Sequence, residues 1–140
     1  MAYRVYVIEL NPQTFKPNKK FRKQNPHLFD PKGKRIQDEF EIFYVGQSAH
    51  SPKCRFEQHK TCHGDNIEFT CFCGMKCACH DDAHVIYKNM SNKFVREHGI
   101  KLRRDLFVKY NPISSRLEAE KTEKYIAGEL RKMGHASYSN

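Results

Sequence analysis

The sequence predicts a small α/β (α+β) domain in which helices flank a three-stranded antiparallel or mixed sheet. Short runs rich in Val, Ile, Tyr and Phe alternate with segments that have the periodicity of helices. A chain of 140 residues is long enough for one domain with a modest core. We therefore expect a single domain over residues 1–140, with a loop insertion at 11–39 and a Cys-rich insertion at 62–88.

The first half of the chain contains two predicted strands and one predicted helix. Strands are expected over Tyr3–Leu10 and Phe40–Val45, because both runs are rich in β-branched and aromatic residues. The basic, Pro-containing stretch Lys16–Lys34 predicts a long exposed loop or hairpin extension, either contacting nucleic-acid backbone or simply solvated. A turn over Gly46–Ser51 then leads into a helix over 52–61, with Pro52 in its first turn.

The second half is predicted to be irregular at first and then to run helix, strand, helix. Residues 62–89 show no clear periodicity, and a short helix over Ser91–His98 should stop at Gly99. A third strand is expected over Asp105–Lys109. The last helix should begin near Ser115, because Ser115 and Glu118 have capping-box spacing, and run to Met133 with Gly134 just beyond it.

The composition favours a polyanionic partner. Lys and Arg number 25 against 16 Asp and Glu, a net charge of +9, which points first to nucleic acid. The alternative is a basic protein whose charge only keeps it soluble. No apolar run approaches the ~18 residues of a membrane span, and the N-terminus lacks a signal-peptide layout. We expect a cytoplasmic protein with no membrane partner, in which six Cys are thiols or metal ligands rather than disulfides.

One carboxylate of the last helix falls where an apolar side chain is expected. At about 100° per residue, Glu123 lies within the apolar arc of this helix, whereas Glu118 and Glu129 point away from it. Glu120 lies at the edge of the arc. The apolar members of the arc are Ala119, Ile126, Ala127, Leu130 and Met133. A carboxylate on a buried stripe needs a partner, which is either a salt bridge in the core or a metal ion in a cleft.

A second group of residues suits phosphate chemistry. Tyr44 ends the second predicted strand, and Arg55 and His59 are four apart on the following helix, so both project from one face. Tyr can relay a proton, Arg can fork onto phosphate oxygens, and His can act as an acid or base near neutral pH. The residues predicted to contact substrate around them are Gly46, Gln47, Ser48, Lys53 and Lys60. Taken singly, the tyrosines could be ordinary strand aromatics, and Arg55 and His59 a solvated helix face.

The order and spacing of these residues resemble the GIY-YIG nuclease superfamily, especially its small stand-alone bacterial or phage-type members. Val5-Tyr6, with Ile8 two positions on, is similar to the first strand motif, and Tyr44-Val45-Gly46 is similar to the second. The resemblance extends over residues 3–10, 40–61 and 89–140. Arg4 stands where the family has its first Gly, the two tyrosines are 38 positions apart, and only Asn140 is available for the Asn that often ends the family's pattern.

The resemblance implies a divalent-metal-dependent endonuclease that hydrolyses DNA phosphodiester bonds. Arg55 matches the family's helix arginine, His59 a histidine often found four residues later, and Glu123 the glutamate that holds Mg²⁺ or Mn²⁺. With Tyr6 and Tyr44, these residues form the expected catalytic set. Which tyrosine deprotonates or orients the attacking water is open. A free Tyr has a pKa near ~10 and needs help to act as a base at neutral pH.

The Cys-rich insertion predicts a separate structural metal site. Two Cys-x-Cys pairs flank a Gly-Met-Lys turn, and four thiolates, or three with one His, satisfy tetrahedral Zn²⁺. The candidate ligands are Cys62, Cys71, Cys73, Cys77, Cys79 and His80. An iron–sulfur cluster, free thiols and redox pairs are the alternatives. Cys54, next to Arg55, is expected to be a packed thiol.

Two further functions fit the same sequence. The chain could be a non-catalytic zinc-containing nucleic-acid-binding module, or a structural subunit whose charge meets an acidic protein. The joint presence of the five expected catalytic residues favours the nuclease. The sequence leaves open DNA against RNA, the biological role, and the oligomeric state, a homodimer included.

Overall fold

The structure, a computed structural model, describes residues 2–30, 32, 34–35, 40–48, 67–70, 76–79, 95 and 97–139, with 67–70 and 76–79 described by their backbone alone. In chain order its elements are β1 (Arg4–Leu10), α1 (Lys19–Gln24), β2 (Ile42–Ser48), β3 (Ile67–Thr70), β4 (Lys76–Cys79), β5 (Gly99–Leu102), two 3₁₀ turns (Arg104–Leu106 and Val108–Tyr110), α2 (Arg116–Lys132) and β6 (Ala136–Tyr138).

Four of the strands form one mixed sheet in the order β5–β1–β2–β6. β1 is antiparallel to both of its neighbours, and β6 runs parallel to β2. The predicted mixed α/β class is confirmed, but the sheet has four strands where three were expected. β1 and β2 lie at its centre and are almost continuously buried, so the core forms around them.

The third strand predicted over Asp105–Lys109 is wrong. This stretch forms the two 3₁₀ turns, and only Phe107 is buried where a half-buried strand would alternate. The two strands that complete the sheet, β5 and β6, were not predicted. They have four and three residues, too few to establish a period-two pattern. The described residues Val95, Glu97 and His98 are helical, within the short helix expected there, and Gly99 begins β5.

Two other segments also differ from expectation. The turn predicted from Gly46 is wrong up to Ser48, because β2 stays paired with the first residues of β1 and Arg4 lies opposite Ser48. Arg4 therefore occupies a regular antiparallel position. The stretch 62–89, predicted to be irregular, contains β3 and β4, which pair with Phe69 opposite Cys77.

The predicted exposed loop over Lys16–Lys34 is also wrong, because part of this segment enters the core. It contains α1, whose N-cap Asn18 accepts a 2.8 Å hydrogen bond from the Phe21 amide. The buried apolar residues of the segment, together with one just before it, are Phe15, Phe21, Leu28 and Phe29. Apolar side chains spaced irregularly among lysines give no periodic signal, so the pattern of charge concealed them.

Side-chain amides join the end of α1 to the outer edge of β6. The buried Asn25 donates to the carbonyls of Phe21 and Ser137, at 2.8 and 3.0 Å, and accepts from the Ser137 amide at 2.9 Å. Gln24 makes the same pair of contacts with Ser139, at 3.0 and 3.1 Å. These amides stand in for a neighbouring strand, so backbone groups that an edge strand would leave unpaired are satisfied.

The last helix agrees closely with expectation. Ser115 caps α2 by accepting from the Glu118 amide at 3.2 Å, and Gly134 follows the helix with φ 90°, a left-handed conformation that suits Gly. Its buried residues are Ala119, Glu123, Ile126, Ala127 and Leu130. Met133 was placed on this stripe but is 59% exposed, because α2 ends at Lys132. No helix in the described ranges has the length and apolar character needed to cross a membrane.

Replacing Asn25 with Ala should destabilise the fold by roughly 2–4 kcal/mol, because buried backbone groups of Ser137 and Phe21 would lose their partners. Urea denaturation would measure the change. Gln13→Ala, at an exposed side-chain amide in the loop before α1, is the control and should change stability by less than about 0.5 kcal/mol. Equal small effects of both substitutions would contradict the structural role of Asn25.

Candidate active site

A polar cleft of about 510 Å³ opens where β1, β2 and α2 meet. Its lining comes from three elements that are far apart in the sequence, and it combines phenols, carboxylates and cations. The lining residues are Tyr6, Tyr44, Gly46, Gln47, Arg116, Glu120, Glu123 and Lys124. Three of the five residues predicted to be catalytic, Tyr6, Tyr44 and Glu123, are thus brought together.

The two tyrosines become neighbours through the register of β1 and β2. Tyr6 lies opposite Gly46 and Ile8 lies opposite Tyr44, so the tyrosines are diagonal neighbours on one side of the sheet. Their ring centroids are 6.1 Å apart, and Tyr44 also stacks on Tyr138 with a centroid distance of 6.3 Å. Their separation of 38 positions in the sequence does not keep them apart, because the antiparallel pairing of β1 and β2 brings the two segments together.

Gly46 leaves the space that the Tyr6 ring occupies. A Cβ built at position 46 would overlap the Tyr6 hydroxyl oxygen and lie 2.5 Å from Cζ of that ring. The ring cannot simply swing aside, because Tyr6 is only 2% exposed and is packed in the core. Gly46 therefore serves the site by its lack of a side chain, and it lines the cleft with its backbone.

Glu123 is the buried carboxylate of the cleft. It is 8% exposed, and its pKa is raised to about 7, chiefly by burial. The nearby carboxylate of Glu120 contributes to this rise, and the Lys124 ammonium opposes it. Among the described residues no cationic side chain forms a salt bridge with Glu123. The described part of the chain therefore does not supply the cation that a salt-bridged core glutamate would need.

Three cleft residues of α2 were not predicted from the sequence. Arg116 and Glu120 form an exposed ion pair at 3.2 Å, and Lys124 follows one turn later. Arg116, Glu120 and Lys124 are each four residues apart, which places them along one strip of the helix, and Glu123 follows Glu120 by three residues. The same helical projection that singled out Glu123 could therefore have found them, because they flank it on the side that turns towards solvent.

The remaining predicted site residues divide into three groups. Gln47 lines the cleft, whereas Ser48, at the end of β2, is not among the lining residues described. Cys77 and Cys79 lie in β4, known by its backbone alone. The other predicted residues lie outside the described part of the chain: Lys53, Arg55, His59, Lys60, Cys62, Cys71, Cys73 and His80.

The predicted zinc site gains no support from the described residues, and the resemblance to GIY-YIG nucleases gains none from known proteins. Within the described ranges no group of three or more His, Cys, Asp and Glu residues is arranged to hold a metal ion, so the zinc site stays a prediction. No protein-family model, curated protein or solved structure matches the chain. The resemblance to GIY-YIG nucleases therefore depends on the residues themselves and on where the fold brings them.

Replacing Gly46 with Ala should destabilise the protein by roughly 1–3 kcal/mol, because the new methyl group must displace the packed Tyr6 ring. Gly128→Ala is a matched control, since no atom lies within 4 Å of a Cβ at that helical position. It should instead stabilise α2 by up to about 1 kcal/mol. Chemical denaturation of both variants would measure the difference, and effects of the same sign would contradict this packing argument.

Replacing Glu123 with Gln should stabilise the protein at alkaline pH and have little effect in acid. The folded-state pKa of about 7 lies above the ordinary 4.5, so the contribution of Glu123 is greatest below pH ~4.5 and is lost as the pH rises through ~7. The free energy of unfolding of the variant should exceed that of the wild type by about 3 kcal/mol at pH 8, and the two values should agree near pH 4. Urea denaturation across this range would measure it, and a constant difference would contradict the buried charge.

Proposed function

We propose that the chain is a divalent-metal-dependent endonuclease of the GIY-YIG type that hydrolyses phosphodiester bonds of DNA. The observation that carries the proposal is the meeting of Tyr6, Tyr44 and Glu123, from β1, β2 and α2, in one polar cleft. These are three of the residues that the resemblance matched to the family's catalytic positions. The net charge of +9 is consistent with a polyanionic substrate.

The cleft fits a divalent cation. Glu123 is a buried carboxylate that forms no salt bridge with any described residue, and its raised pKa shows that the Lys124 ammonium offsets the cost of its charge only in part. Glu120 supplies a second carboxylate on the same strip of α2. One or two carboxylates in an open polar cleft suit Mg²⁺ or Mn²⁺, which retain several water ligands. When bound there, such an ion would neutralise charge on the phosphodiester and stabilise the leaving oxygen.

The other residues of the cleft have roles that follow from their chemistry. Tyr6 and Tyr44 present phenols that orient or deprotonate the attacking water. Because a free phenol has a pKa near ~10, the one that acts as the base needs a neighbouring cation. Arg116 and Lys124 supply positive charge along the cleft for phosphate oxygens. From the resemblance, Arg55 would stabilise charge on the non-bridging oxygens and His59 would assist proton transfer.

A structural zinc site belongs to the same proposal. The donor set would come from Cys62, Cys71, Cys73, Cys77, Cys79 and His80, as the sequence pattern indicates. Metal bound there would order a segment that has few apolar residues of its own. Elemental analysis of the purified protein distinguishes zinc from an iron–sulfur cluster and from free thiols.

The decisive experiment is incubation of the purified protein with supercoiled plasmid and with branched DNA, in Mg²⁺ and in EDTA. We expect cleavage only with the metal, and a loss on the order of 10²-fold or more in Glu123→Gln, because the variant loses the charge that holds the ion. Glu129→Gln is the matched control on the same helix, at a partly exposed carboxylate outside the cleft. It should cleave at the wild-type rate.

Each other outcome has a definite meaning. Metal-dependent cleavage that persists in Glu123→Gln would overturn the assignment of the site. DNA binding without cleavage of any substrate would favour the non-catalytic nucleic-acid-binding module. A readout independent of activity is stability at pH 8, which Mg²⁺ should raise in the wild type but not in Glu123→Gln, because ligand binding stabilises only the protein that binds it.

A further inference from the structure

A basic groove of about 560 Å³ lies between α1 and the loop that follows it. Its charged lining is cationic with one exception, Asp30. The lining residues are Lys19, Arg22, Lys23, Pro26, Phe29, Asp30 and Lys32. Lys19 and Lys23 also line an adjoining recess with Asn18 and Lys20. We call Lys19, Lys20, Arg22, Lys23 and Lys32 together the α1 cationic surface.

Within the described part of the chain, this surface has no carboxylate paired with its cations. The Asp30 carboxylate is engaged by its own loop, since Oδ1 accepts from the amides of Lys32 and Lys34 at 2.9 and 2.7 Å. In the ranges the structure describes, no carboxylate forms an ion pair with any member of the α1 cationic surface. The four lysines are exposed. An external anion is therefore the natural counter-charge.

The surface is held on a fixed part of the fold. Phe21 anchors α1 in the core, and the amides of Gln24 and Asn25 join its end to β6. Arg22 donates to the Pro17 carbonyl at 3.2 Å, which orients its guanidinium. Cations on an anchored helix lose less freedom on binding than cations on a flexible tail, so their placement is a property of the folded protein.

One member of the surface, Lys20, lies close to the candidate active site. Lys20 Nζ lies 5.4 Å from the Tyr138 ring centroid, and Tyr138 stacks on Tyr44, a cleft residue, at 6.3 Å. Together these two distances place Lys20 Nζ within about 12 Å of the Tyr44 ring centroid. A nucleic-acid strand, which rises roughly 3.4 Å per phosphate, covers that distance in a few nucleotides. A strand whose phosphate occupies the cleft would thus have further phosphates near α1.

We propose that the α1 cationic surface binds the phosphate backbone of nucleic acid and holds the strand that enters the cleft. A row of exposed lysines with one arginine matches regularly spaced anions, and such contacts position a strand without reading its sequence. The link to catalysis rests on the proposed nuclease function, but backbone binding does not require cleavage. It follows that affinity should fall steeply with salt and depend little on base sequence.

The test compares two triple variants that lower the net charge equally. Lys19→Gln, Lys20→Gln and Lys23→Gln together neutralise the α1 cationic surface. The control neutralises Lys109, Lys121 and Lys132, which lie elsewhere and outside the cleft. Binding of an arbitrary-sequence DNA duplex in EDTA is measured by fluorescence anisotropy over a range of NaCl concentrations. The α1 variant should bind at least about 10-fold more weakly, with a log–log salt slope smaller by roughly two to three.

The control should change affinity less than about threefold, since only long-range charge is altered. Equal losses in both variants, or no loss in the α1 variant, would overturn the proposal. Urea midpoints establish that each variant is folded. The single substitution Lys20→Glu is a second test, and it should also weaken DNA binding. Tight binding of poly-glutamate together with no binding of DNA would also overturn it, in favour of an acidic protein partner.

The two proposals fail in different ways. If the α1 variant loses DNA binding and the wild type cleaves nothing, the docking surface stands without a nuclease. If the wild type cleaves DNA and the α1 variant binds and cleaves equally well, the nuclease stands without this docking surface. Running the same titration with an RNA duplex shows which nucleic acid the surface prefers.

Discussion

The contact between the Tyr6 ring and Gly46, across the β1–β2 pair, is the constraint on which the cleft depends. A side chain at position 46 would occupy the space of the phenol, so the absence of one lets a large ring lie directly over the sheet. The antiparallel register then places Tyr44 diagonally beside Tyr6, and Tyr44 packs in turn on Tyr138 of β6. One missing methyl group thus sets the position of a layer of three phenols that spans three strands.

Burial of Glu123 on α2 has an energetic cost that the rest of the helix must offset. Four small or aliphatic side chains of α2 bury themselves against the sheet as the hydrophobic effect favours, whereas Glu123 occupies the same stripe and loses hydration there. The helix tolerates this cost because its cap at Ser115 and the apolar stripe beyond Glu123 hold it in place. A carboxylate kept in an unfavourable setting beside a polar cleft is typical of functional sites, where pKa values are displaced.

Sequence predicted the parts of the fold that carry their own periodic signal. β1, the N-terminal part of β2 and α2 were found because alternation, helical phase and capping chemistry are local properties. Glu123 was found for the same reason, since its conflict with the apolar arc is visible on the helix alone. The buried aromatics beside α1 were missed because they stand among lysines, and β5 and β6 because they are too short for a pattern to appear.

By itself, the sequence determined which side chains are available for phosphate chemistry and which helix carries the carboxylate. Tertiary structure alone decided that Tyr6, Tyr44 and Glu123 meet, since their proximity depends on strand register and on helix packing between distant segments. It also decided that the basic segment contains an anchored helix, α1, rather than being a free loop. The physical reason is common to both: burial and pairing between remote segments override local preference.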